Sequence, residues 1–251
     1  MDRFFKILSK AMACLFTLSA FVIIVFVAII VPSNSSAFYS AQFNEPDEYG
    51  KTPIDYVKKY SYSMQDDKAA SYVLQMSEDD LIGLMKHVMR YCLYLEDDLN
   101  PTVNGEKINV FREDEVSHMK DVKGVFGGLL ITVGVSVLIF ISTLILAILK
   151  KKEYYQNCRK VPFYTLIGVF SLLLVLGIIV AIDFEWAFDI FHMILFDGNW
   201  IFEDGIMIEM IGYIFDDLVP IILGASVIML GLFVLGLYLY NRGLKNKFEK
   251  E

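Results

Sequence analysis

Residues 111–149 read FREDEVSHMKDVK and then, without a break, GVFGGLLITVGVSVLIFISTLILAIL. The second part, Gly124 to Leu149, has no charged residue. At about 1.5 Å of rise per helical residue it is long enough to cross the ~30 Å hydrocarbon core of a bilayer. The first part holds seven charged side chains and a histidine in thirteen residues and cannot enter hydrocarbon. On a helix running through both parts, Asp114, Glu115, Asp121 and Val122 lie three or four positions from His118 and share its side. The junction therefore predicts a spanning helix that carries a titratable cluster at the membrane surface.

Three more segments are uncharged over a spanning length: Ala11 to Val31, Val161 to Ile182 and Leu218 to Tyr240. The chain has 251 residues, 56% of them hydrophobic, and a mean hydropathy of +0.51. That is more apolar surface than a soluble core of this size needs. The expected fold is an all-α membrane protein with four transmembrane helices, TM1 at 11–31, TM2 at 124–149, TM3 at 161–182 and TM4 at 218–240. Between them lie an N-terminus (1–10), a long loop (32–123), a short loop (150–160), a second loop (183–217) and a tail (241–251).

Charge sets the expected orientation. The short segments 1–10, 150–160 and 241–251 carry three, five and four basic residues, which predicts that both termini and the short loop are cytoplasmic. Loops 32–123 and 183–217 then share the extracytoplasmic face, with ten basic and twenty-six acidic side chains. A face this acidic speaks against nucleic acid or bare phosphate as a partner. Cys14, Cys92 and Cys158 fall in a span, the outer loop and the inner loop, so no intrachain disulfide is expected. The first apolar run exceeds a usual signal-peptide core and reads as an uncleaved anchor.

The long loop is large enough for a small, mainly helical extracytoplasmic domain. Ser77-Glu78-Asp79-Asp80 is a helix start, followed by Leu81, Leu84, Met85, Val88, Cys92 and Leu95 on one stripe. Val103-Asn104-Gly105-Glu106 offers a two-residue hairpin turn. In loop 183–217, Phe184, Phe188, Phe191 and Leu195 form a helical stripe, with Asp183, Glu185, Asp189 and Asp197 interleaved among Trp186 and Trp200. Too charged to span and too aromatic to leave the membrane, it is expected to lie at the outer interface. Gly127-Gly128, Gly224, Gly231 and Gly236 are expected at close helix contacts.

Three histidines occur, all on the expected outer face. His87 has no carboxylate three or four residues away and reads as a surface side chain. His118 has two readings: a solvated charged helix end, or a base with one ring nitrogen fixed by Glu115 or Asp114 and the other free. His192, with Asp189 three residues before it, reads as an interfacial residue or as the partner of His118 at the same membrane face. No zinc-protease helix motif, nucleophile elbow, phosphate loop or Cys-x-x-Cys pair is present. The spans lack ionisable residues, so a proton-coupled transporter is not expected.

Tyr91-Cys92-Leu93-Tyr94-Leu95, Phe111, Glu115-Val116-Ser117-His118-Met119-Lys120-Asp121-Val122-Lys123, and Phe191-His192 with Phe196 and Trp200 follow in that order along the chain. In these runs and in span count, the chain resembles the four-span lipoprotein intramolecular transacylase (Lit) family of the bacterial cell membrane. The likeness covers most of the chain. It departs after Trp200, where Ile201 to Phe215 contains no proline. The resemblance implies transfer of an acyl chain within a diacylglyceryl lipoprotein, from the glyceryl ester to the α-amine of the N-terminal cysteine. The product is an N-acyl lyso-form lipoprotein.

It also implies His118 and His192 as the catalytic pair, with Glu115, Asp121 and Trp200 on motif positions. On this reading His118 is the general base oriented by Glu115, and His192, aided by Asp189, serves the carbonyl or the leaving oxygen. No metal or cofactor is required, and the partners are the lipoprotein substrate and membrane lipid. Two other classes share the observations. A zinc-dependent hydrolase or protease would use His118, His192 and Glu115 as ligands. A non-enzymatic membrane subunit would bind a partner through its acidic outer domain. Oligomeric state is not legible from the chain.

Overall fold

The structure is a computed structural model describing residues 2–196, 198–202 and 204–249; Asp197 lies outside the described residues. Four helices are long and apolar enough to cross a membrane. They are α1 (Asp2–Ser33), α6 (Glu113–Leu149), α8 (Val161–Ile182) and α10 (Ile206–Phe248). Between α1 and α6 come the short helices α2 (Ser36–Phe43), α3 (Pro53–Tyr60), α4 (Asp67–Gln75) and α5 (Glu78–Cys92). A hairpin of β1 (Thr102–Val103) and β2 (Glu106–Lys107) follows α5. A short α7 (Lys151–Cys158) joins α6 to α8, and α9 (Phe184–Leu195) follows α8.

The chain divides into two compact units. One comprises Met1–Ala28, Ile131–Ile190 and Leu223–Glu251. Its helices turn large apolar side chains outward: Leu138 on α6 is 68% exposed and Leu174 on α8 is 66% exposed. Such surface is tolerable only where lipid covers it, which makes the chain a multi-pass membrane protein. Within this unit Phe16 of α1 stacks on Phe140 of α6 at 4.9 Å and meets Phe233 of α10 at 5.7 Å. At the lysine-rich ends of these helices, Tyr154, Tyr155 and Cys158 of α7 pack with Ala13 and Leu244.

The other unit, Ile29–Leu130 and Phe191–Ile222, has an ordinary hydrophobic core. Helix α5 begins where the Ser77 hydroxyl accepts from Asp80 N and the Asp80 carboxylate accepts from Ser77 N, a reciprocal capping box. Its stripe Leu81, Leu84, Met85, Val88 and Cys92 is buried. Leu95, expected on that stripe, is instead 60% exposed. The helix stops at Cys92 because Tyr94 turns left-handed (φ 59°). The N–H groups of Leu95 and Tyr94 then return to the carbonyls of Arg90 and Tyr91, closing the last turn.

The hairpin turns on Asn104 (φ 52°) and Gly105 (φ 82°), pairing Val103 with Glu106 and Thr102 with Lys107. Two positive φ angles are what a two-residue turn between right-twisted strands demands. The expectation of close helix contacts within the bundle is not met: Gly127 is crowded by Tyr94, in the turn after α5, and a Cβ on Gly128 meets nothing within 4 Å. A Cβ on Gly127 would collide with the Tyr94 hydroxyl at 2.6 Å, whereas one on Gly224, Gly231 or Gly236 would meet nothing within 4 Å. Those three lie where the helices leave room, so their smallness does not serve close packing. The three cysteines are unbridged.

Candidate active site

His118 lies one and a half turns into α6, and His192 lies in the last turn of α9. Their rings come to 6.3 Å, centroid to centroid, with planes 25° apart. Aromatic rings enclose them. Phe196 lies 4.8 Å from His118 and 5.4 Å from His192. Phe202 meets His118 at 5.5 Å, Trp200 meets His192 at 4.9 Å, and Phe191 meets it at 5.3 Å. Two imidazoles within one aromatic sleeve place two proton-transfer groups side by side in a largely apolar setting. A groove lined by Lys120, Asp121, Gly124, Val125, Leu195 and Phe196 borders the pair.

Burial lowers the His118 pKa below its usual 6.5, aided by repulsion from His192; the Asn199 amide and the Asp121 charge oppose this. The ring is therefore neutral at neutral pH, which is the form a base needs. Asn199 Nδ2 donates to Asp121 Oδ2 at 2.6 Å, so Asp121 holds the amide that lies beside the imidazole. His118 Nδ1 and Asn199 Oδ1 are both buried without a full hydrogen bond among the described residues. They are complementary in kind, an N–H in one tautomer and a carbonyl oxygen.

Glu115 is placed differently from the expectation that it orients His118. It is 1% exposed, and its oxygens accept from Arg112 N at 2.9 Å and from Met207 N at 2.8 Å. Each N–H belongs to the first turn or cap of a helix, α6 and α10 respectively. One carboxylate thus serves two positive helix ends. Burial pushes its pKa up, against the pull of those two N–H groups and of Arg112. A Cβ on Gly205 would strike Glu115 Oε1, so only glycine lets the backbone come this close.

Asp114, the other carboxylate proposed to hold the ring, pairs instead with Arg112 at 2.7 Å, which holds its pKa below the usual range. Arg112 also pairs with Asp204 and donates to the Tyr60 hydroxyl at 3.4 Å. Asp189 is exposed on α9 and makes no hydrogen bond or ion pair among the described residues. His87 is half-buried, one ring nitrogen meeting the Asp98 carbonyl at 2.9 Å. Among the described residues, no three His, Cys, Asp or Glu side chains converge as a metal site requires. The proposed ligand Glu115 is committed to backbone N–H groups instead. Asn199 and Phe202 are site residues that sequence reasoning missed.

These features define a four-span membrane protein with a two-imidazole site in an aromatic sleeve. The sequence model of the lipoprotein intramolecular transacylase Lit family matches residues 14–215, and the chain belongs to that family. Three solved structures of the membrane-integral lipoprotein intramolecular transacylase Lit from Bacillus cereus share the fold. One is 18% identical, with a TM-score of 0.55 over 97% of this chain and 99% of that one. Two variants carry a histidine changed to arginine or alanine. They are 17% and 19% identical, with TM-scores of 0.56 and 0.57 over 99% and 100% of this chain and 96% and 100% of theirs. No curated protein matches the chain.

Proposed function

We propose that this chain catalyses the intramolecular transfer for which its family is named, moving one acyl chain of a diacylglyceryl lipoprotein from the glyceryl ester to the α-amine of its N-terminal cysteine. The observation that carries this reading is the pair of imidazoles 6.3 Å apart in an aromatic sleeve. The α-ammonium, with a pKa of about 8, loses its proton before attack. His118 takes that proton on Nε2 while Asn199, held by Asp121, fixes Nδ1. The nitrogen bonds to the ester carbonyl carbon, and the oxyanion that forms is stabilised by His192. The bond from that carbon to the glyceryl oxygen breaks, and the departing oxygen takes a proton from a histidine. The attacking nitrogen sheds its second proton to solvent, so an amide and a glyceryl hydroxyl result and one proton is released overall.

Both reacting groups belong to one molecule, so much of the acceleration is positioning. Well-oriented attack of this kind can be worth roughly 7 to 11 kcal/mol. The groove beside the pair, polar at Lys120 and Asp121 and apolar at Val125, Leu195 and Phe196, suits a glyceryl ester with its chains. The reading also places the site outside the cytoplasm. On it, the termini and 150–160 are cytoplasmic, 32–123 and 183–217 form the outer face, and the membrane is a bacterial cell membrane. Reconstitution of the purified protein with a synthetic diacylglyceryl-cysteine lipopeptide tests this. Tandem mass spectrometry should find one acyl chain moved from oxygen to nitrogen at unchanged total mass. Release of free fatty acid without N-acyl product would replace the transferase reading by a hydrolase.

A further inference from the structure

The spanning unit contains a cavity of about 470 Å³ between α1, α6, α7 and α10 that shares no residue with the histidine site. Its walls include Phe16, Phe140, Phe233 and Leu237, and its few polar neighbours gather at one end around Lys150, Glu153 and Tyr154. A space this apolar does not hold water, which needs two to four polar partners. The volume is about three times the ~150 Å³ that admits one benzene ring, so it has room for on the order of fifteen to twenty carbons. Its surroundings are helices whose outer faces require lipid.

Charge at the polar end selects the kind of lipid. Lys150 is 3.7 Å from Glu153, and both are exposed. Lys10 lies within electrostatic range of Cys158, another lining residue. Two cations against one acid leave a net positive mouth above an apolar slot. We propose that this cavity binds one acyl chain of an anionic phospholipid, with the phosphate at Lys10 and Lys150. The site is separate from the substrate groove and fastens α1, α6 and α10 together at their lysine-rich ends.

Gly236 supplies the test. It lines the cavity, and a Cβ there meets nothing within 4 Å, so Gly236→Leu fills the slot without disturbing a neighbour. Native mass spectrometry of the full chain, delipidated in detergent, would follow binding of dioleoyl phosphatidylglycerol and dioleoyl phosphatidylcholine. The wild type should retain one phosphatidylglycerol, at least tenfold tighter than phosphatidylcholine. Gly236→Leu should weaken it at least tenfold without lowering the unfolding temperature. Ala147→Leu, from the facing helix, gives the same readout should the first variant not fold. Lys10→Gln with Lys150→Gln should abolish the preference between head groups while keeping the chain bound. Equal binding of both lipids by the wild type, undiminished binding by a folded cavity-filling variant, or displacement by inorganic phosphate would each overturn the proposal.

Discussion

Replacing Glu115 by alanine removes the acceptor that, among the described residues, serves two backbone N–H groups, those of Arg112 and Met207. The carboxylate is 1% exposed, so water cannot reach in to take its place. A buried donor left unpaired costs about 1–3 kcal/mol, so the two together should destabilise the outer unit by about 2–6 kcal/mol. Glu115→Gln keeps one oxygen as acceptor and should lose about half of that. The damage is local in origin but reaches the site. Met207 lies in the first turn of α10, and residues 196 to 206 before it carry Phe196, Asn199, Trp200 and Phe202. Freed at that end, these side chains no longer enclose the imidazoles. Thermal unfolding in detergent and hydrogen exchange at the Met207 amide are the assays. A lower midpoint and a fast-exchanging Met207 are expected, in the order alanine worse than glutamine worse than wild type. An unchanged midpoint with a still-protected Met207 amide would refute the double-cap account.

Gly205→Ala should reproduce the Glu115→Ala destabilisation, because its Cβ strikes Glu115 Oε1; thermal unfolding checks it. Protonation of the substrate amine, pKa about 8, lowers acyl transfer about tenfold per pH unit below 8; burial holds the His118 pKa below 6.5, so a second, steeper loss should set in only below 6.5. A second acid limb centred above 6.5 in the pH–rate profile would contradict this. The Glu115 pKa is raised, so its ionisation opposes folding and protonation relieves that burden. The stability gap between wild type and Glu115→Gln should therefore widen as pH falls from above the raised value to below 4.5, in paired denaturation curves. Asn199→Ala should slow transfer about tenfold, ~1.4 kcal/mol, with little change in substrate KM. Gly105→Ala should destabilise the hairpin by about 1 kcal/mol through its φ of 82° and leave transfer untouched.

The spans were legible because hydrocarbon tolerates no charge, and four uncharged runs stand out at once. The Ser77 cap and the Asn104-Gly105 turn were legible because each depends on neighbours within three residues. The approach of His118 and His192 came from counting spans and from the family resemblance, since their separation in sequence says nothing about distance. Glu115 was singled out for the wrong task. Its partner is the backbone of Met207, and that link is visible only once α10 is seen to begin at Ile206, well ahead of the uncharged run from Leu218. Asn199 had no signal: an amide in a loop without periodicity looks like any other turn residue. Leu95 was misplaced because a tyrosine in a left-handed cap breaks a stripe that hydrophobicity alone continues.

The central claim is that His118 and His192 together move one acyl chain from oxygen to nitrogen, and their separate removal tests it most directly. The measurement is mass spectrometry of the N-terminal lipopeptide of a reporter lipoprotein made with wild type, His118→Ala or His192→Ala, with unfolding temperatures in parallel. Either loss should cut the N-acyl product by about 10²- to 10⁴-fold in a protein that stays folded. An unchanged amount of N-acyl product in both variants would contradict the account.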